Sequence, residues 1–169
     1  MQFIASHATE LAIRAAMHLA LQPPGKLSPT REIAAGTGLP AAYLAKIMRL
    51  LIRAGLVRAF HGPGGGVELG RPADSISLSS LVRAVEGEAQ AERCILGLSA
   101  CSESAPCLLH SQWVPLRAEF CRMLDETSLD MLVHAAQGKQ PLIPEADLVT
   151  AAAAPRPKSK PKASKRQTP

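Results

Sequence analysis

The segment from Cys94 to His110 reads CILGLSACSESAPCLLH. Three of the four cysteines stand here, separated by six and then five residues, and a histidine follows three residues after the last. Thiolates are soft ligands that suit iron–sulfur clusters and zinc. The segment has no helical period, and a loop can wrap a cluster where a helix cannot. The spacings let each sulfur reach a different iron corner. Three cysteines leave one coordination position for a weaker ligand, which makes a cluster easier to perturb. Zinc is the alternative metal, with three thiolates and His110 completing a tetrahedral site. A redox-sensing disulfide is a third reading, and a site without metal a fourth. No Cys-x-x-Cys pair occurs, and no general base is fixed near the loop in sequence, so a thiol-redox enzyme is disfavoured. Cys121, beside Phe120, reads as a small buried residue.

The rest of the chain must position this loop. A length of 169 residues fits one domain with an appendage, and 47% hydrophobic residues can build a core. Aromatics are scarce, so Ala and Leu must fill that core, which favours helices. His7, Glu10 and Arg14 interrupt any apolar stretch at the start, so no signal peptide is read there. No uncharged apolar run approaches the roughly 20 residues needed to cross a bilayer. The expected location is the cytoplasm, where clustered cysteines more often mean a metal or redox site than a disulfide framework. Charge is divided along the chain. Residues 1–71 hold eight Lys/Arg against three Asp/Glu, residues 72–154 five against eleven, and residues 155–169 six against none. A basic front half points to a polyanion partner.

Helical spacing of Ala8, Leu11, Ala15 and Leu19 predicts a first helix over 6–21, ended by QPPGK. Ser28-Pro29 reads as an N-cap followed by proline at the first helical position. A short helix through REIAAG stops at GTGLP. Pro40 opens a longer helix with Leu44, Ile47, Met48, Leu51 and Ile52 as its apolar stripe. Gly55 ends it. Two strand-like runs, Leu56 to Phe60 and Val67 to Leu69, flank His61 and a glycine-rich tip and predict a hairpin. Ser77 is read as the cap of a helix bearing Leu78, Leu81, Val82 and Val85, stopped by Gly87. Beyond the cysteines, Leu109, Trp113, Leu116, Phe120 and Met123 form a heptad seam, with Pro115 expected to kink that helix or mark its start. From about residue 138 the chain reads as loop, and its basic Pro/Lys-rich end as disordered.

The fold class that follows is mainly α with a small β-hairpin wing: a winged helix-turn-helix domain plus a long dimerisation helix. The expected divisions are 1–87 for the winged domain, 88–108 for the cysteine loop, 109–137 for the dimerisation helix region and 138–169 for the basic tail. In a helix-turn-helix the second helix enters the major groove of double-stranded DNA. Candidate contacts are Thr30 and Arg31 on the first helix of the pair, and Ala42, Tyr43, Lys46 and Arg49 on the second. The wing adds Arg58, His61, Gly64 and Gly65, glycines that permit close approach to phosphates. GPGGGVELG lacks the Lys-Ser/Thr of a phosphate-binding loop, and the last glycine of a dinucleotide fingerprint falls on Val67 or Leu69.

REIAAGTGLPAAYLAKIMRLLIRAGLV, followed by GPGGGVELGRPADSISLSSLVRAVEG, resembles the Rrf-type family of bacterial transcription regulators, including its IscR-like and NsrR-like members. ATELAIRAAMHLAL and CLLHSQW extend the resemblance over about residues 1–136. It implies a homodimer on near-palindromic operators, without enzymatic activity, membrane or small-molecule substrate. It also implies a repressor whose DNA affinity is modulated by a 2Fe–2S or 4Fe–4S cluster answering to nitric oxide, redox or iron status. Cys94, Cys101 and Cys107 match the family's ligands. The fourth ligand would be His110, at the IscR-like spacing, or Glu10 of the partner subunit, as in NsrR-like members. Glu10 is preferred because an acidic residue interrupts an otherwise basic region there. His7 is read as solvent-exposed.

Overall fold

The computed structural model describes residues 6–87, 94–98 and 101–138. The expected disordered tail and parts of the cysteine loop lie outside the described residues.

Helix α1 (His7–Ala20) starts where Ser6 caps it, the Ser6 hydroxyl accepting the Thr9 N–H. Its buried face is Leu11, Ala12, Ala15, Ala16 and Leu19, the stripe expected of an amphipathic helix. Helix α2 (Thr30–Thr37) is one residue displaced from its expected cap. Ser28 does not cap it; Pro29 holds that position without a side-chain hydrogen bond. Ser28 instead exchanges backbone hydrogen bonds with Val67, both at 2.9 Å, and is fully buried. Its strand-like pairing with the wing outcompetes the capping role that Ser-Pro offers locally.

Helix α3 (Ala41–Arg53) buries Leu44, Ile47, Met48 and Leu51, while Ile52 stays 36% exposed at the edge of the stripe. Strands β1 (Val57–Phe60) and β2 (Gly66–Leu69) pair antiparallel, Val57 opposite Leu69 and Phe60 opposite Gly66. Ser77 caps helix α4 (Leu78–Glu86), its side chain accepting the Ser80 N–H. The C-terminal carboxylate of α4, on Glu86, reaches back to α1 and accepts from the Thr9 hydroxyl at 2.5 Å and the Ser6 N–H at 2.8 Å.

Helix α5 (His110–Glu126) runs through Pro115 rather than starting there. Proline removes one backbone N–H, and an exposed helix tolerates that loss because water can satisfy the freed carbonyl. The expected heptad helix then ends at Thr127, and a separate helix α6 (Leu129–Gln137) turns back onto the core. Leu129 is fully buried, and its N–H donates to Ile76 at 2.7 Å. The cue was present: Ser128 caps α6, accepting from the Met131 N–H, ahead of Leu129, Leu132, Val133 and Ala136 at helical spacing.

Because Leu129 fills the core beneath Ile76, Leu129→Ala should lower stability by about 2–5 kcal/mol. Denaturant unfolding should show a lower midpoint at an unchanged slope. An unchanged midpoint would mean that α6 is not part of the cooperative core.

Candidate nucleic-acid interface and metal centre

The turn between α2 and α3 depends on Gly38, which adopts φ 69° at the end of α2, a conformation that favours glycine. That turn sets α3 across α2. With Leu44 and Leu51 fully buried, the opposite face of α3 is fixed outward: Ala42, Tyr43, Lys46 and Arg49 are all exposed. Arg31 is exposed and Thr30 half-buried at the start of α2. The expected contacts on the helix pair are therefore all exposed, apart from the half-buried Thr30.

The wing differs in detail. Arg58 lies opposite Glu68 across the hairpin and forms an ion pair with it at 2.8 Å, so much of its charge is answered locally. His61 and Gly64 are exposed at the tip. Gly65 has a structural duty, since a Cβ there would sit 2.3 Å from the Phe60 carbonyl oxygen. His7, read as solvent-exposed, is exposed, but its ring also stacks on Tyr43 with centroids 6.4 Å apart. Nothing in the sequence signals that contact between residues so far apart.

The cysteine loop is held by short turns. The Cys94 carbonyl accepts the Gly97 N–H at 2.9 Å, Ser102 and Ala105 exchange backbone bonds, and the Cys107 carbonyl accepts the His110 N–H at 3.0 Å. Each turn presents a sulfur to the same point. The sulfurs of Cys94, Cys101 and Cys107 all lie within 4.8 Å of one another, and those of Cys94 and Cys107 are 3.7 Å apart. Cys101 Sγ lies 3.2 Å from His110 Nδ1. Cys121 stands apart on α5, half-buried. Burial opposes ionisation of Cys94, but the backbone N–H groups of Leu96 and Leu98 and the two neighbouring thiols outweigh it and hold this thiol below its ordinary value. The Cys107 backbone N–H favours the Cys101 thiolate, but burial and the neighbouring sulfurs Cys107 and Cys94 outweigh that and push this thiol up. Such a trio can give up protons to a thiophilic metal. Glu10 is elsewhere within the chain, on the first turn of α1, ion-paired with Arg14 and 3.2 Å from His7 Nδ1.

The Rrf2 family, described as iron-dependent transcriptional regulators, matches residues 5–135. The chain belongs to that family. It is 32% identical over 123 residues to IscR of Escherichia coli O1:K1 / APEC, covering 73% of this chain and 75% of that protein. It is 31% identical over 122 residues to IscR of Vibrio campbellii, covering 72% of each. Two solved structures share the fold. T. potens IscR has a TM-score of 0.66 at 22% identity, covering 85% of this chain and 95% of that one. CymR, the global cysteine regulator of B. subtilis, has a TM-score of 0.65 at 24% identity, covering 77% and 95%. This Rrf2 protein is therefore a winged-helix, DNA-binding transcription regulator and not an enzyme. Among the described residues, no helix is long and apolar enough to cross a membrane.

As exposed cations on the outward face of α3, Lys46 and Arg49 should each contribute to DNA binding without supporting the fold. Lys46→Ala and Arg49→Ala should leave thermal stability unchanged. A lost phosphate contact should flatten the salt dependence of binding by about one unit, and a lost base contact should cost about 1–3 kcal/mol at one position. Binding isotherms with unchanged slope and unchanged base preference for both variants would remove α3 from the interface.

Proposed function

We propose that this Rrf2 regulator is a cytoplasmic homodimer that represses transcription from near-palindromic operators, with its DNA affinity set by an iron–sulfur cluster on Cys94, Cys101 and Cys107. Nitric oxide, redox or iron status is the signal class. The observation that carries the proposal is the convergence of three thiols within 4.8 Å on a loop leading directly into α5. Three thiolates with one imidazole or carboxylate are a donor set that fits such a cluster. When bound, the cluster supplies the signal-sensitive centre.

The chain's own residues supply the coupling. His110 is the first residue of α5, so order in the cysteine loop fixes where that helix begins. Helix α5 packs on α4, and α4 packs on both α1 and α3. Two fourth ligands have support. The 3.2 Å approach of His110 Nδ1 to Cys101 favours His110 within the chain. The acidic break that Glu10 makes in a basic region, at the position of the NsrR-like ligand, favours the partner subunit's Glu10; on that route, Glu10 shares its helical turn with His7, which stacks on Tyr43 of α3. The homodimer is supported by the seam on α5, where Leu116 and Met123 are 64% and 50% exposed.

Zinc is the second reading, and one observation favours it. Zn–S bonds of about 2.3 Å in a tetrahedron place sulfurs roughly 3.8 Å apart, close to the 3.7 Å between Cys94 and Cys107.

Anaerobic purification with metal analysis and visible absorbance tests the proposal. The expected protein is coloured and contains iron and sulfide. Cys94→Ser, Cys101→Ser and Cys107→Ser should each lose the chromophore, and Cys121→Ser should keep it. Of Glu10→Ala and His110→Ala, the one that removes a ligand should change the spectrum and its lifetime. Colourless protein holding zinc would select the second reading, and protein without metal would end the sensor proposal.

A further inference from the structure

Between the C-terminal end of α3 and the adjoining face of α4 lies an open cleft of about 400 Å³, lined by Arg53, Arg71 and Arg83 with Ser80. Leu50 and Leu56 give it an apolar side. Arg83 is held by Asp125 of α5 at 3.3 Å. Among the described residues, Arg53 and Arg71 have no carboxylate partner. Arg53 and Arg71 line the same cleft, and an anion between them is attracted by both. Their planar forks match the paired oxygens of a phosphate group.

The position of the cleft identifies the anion. Lys46, Arg49 and Arg53 are spaced three and four residues apart, so they form one stripe along the exposed face of α3. The stripe ends at the cleft. A helix seated in a major groove about 12 Å wide has a phosphate strand along each side. The end of the helix meets that strand where it leaves the groove. Arg71, just beyond β2, lines the same cleft.

We infer that Arg53 and Arg71 form a phosphate clamp that grips the backbone of the bound duplex beyond the bases α3 reads, with Arg83 reinforcing it from α4. The inference rests on the DNA-binding reading of α3. It assigns the clamp to affinity and register, not to base choice, because phosphates carry no sequence.

The test uses the full chain and a duplex recovered by selection from a randomised pool. Arg53→Ala/Arg71→Ala should lower the salt slope by about two units while the ranking of base-substituted duplexes stays the same. In the wild type, replacing backbone phosphates one at a time with neutral methylphosphonates should weaken binding at a flanking pair of positions. The double variant should be insensitive there. An unchanged slope and an unchanged methylphosphonate profile overturn the clamp. So does protection of the wild type, but not the double variant, against thermal unfolding by inorganic phosphate with the DNA slope unaltered, which would make the cleft a site for a free anion. If Lys46→Ala/Arg49→Ala, assayed alongside, also leaves the slope unchanged, the failure belongs to α3 as the DNA-binding face.

Discussion

Ala12, Ala15 and Ala16 of α1 are 0%, 0% and 1% exposed, and α2, α3, α4 and α6 all pack around this helix. Helices approach closely only where the side chains between them are small. A leucine at any of these alanines would push a neighbour outward and force strain elsewhere in the core. The same helix is fastened at its start by the Glu86 carboxylate, which accepts from Ser6 and Thr9 at the positive end of the helix dipole. Glu86 is the last residue of α4, immediately before the segment that leads to the cysteines. Helix α3 and the end of α4 thus rest on the same support.

Much of this was legible because it is local. The stripe of α3, the cap at Ser77 and the glycine-rich hairpin all arise from neighbours within a few residues, and each is found in place. The structure departs from the local signals where distant pairing overrides them. Ser28-Pro29 offers a cap, yet Ser28 pairs with Val67, which no short-range rule could show. Ile52 continues the apolar spacing but falls at the edge of the packed face. The α5–α6 break is signalled locally by the Ser128 cap, five residues beyond the last residue of the heptad seam.

The cysteine site divides in the same way. Three cysteines on one loop announce a shared ligand, and short turns bring their sulfurs together. The sequence displays His110 three residues after Cys107, but its ring approaches Cys101, nine residues away, which depends on how the loop folds. The stack of His7 on Tyr43 and the ion pair that occupies Arg58 depend on tertiary placement and pairing register, so residue type alone assigned those side chains too simply. Arg58 is a cation in composition, but Glu68 opposite it tempers its use on DNA.

The central claim is that occupancy of the cysteine loop changes the grip of α3 on DNA through α5 and α4. The most direct measurement is operator affinity of one anaerobic preparation, titrated with its metal centre loaded and again after the centre is removed. Coupling between two sites commonly amounts to about 5–150-fold in affinity. A change of at least about fivefold, absent in Cys101→Ser, is the expected result. Equal affinity for both forms, with the centre verified as present and then gone, would contradict the account.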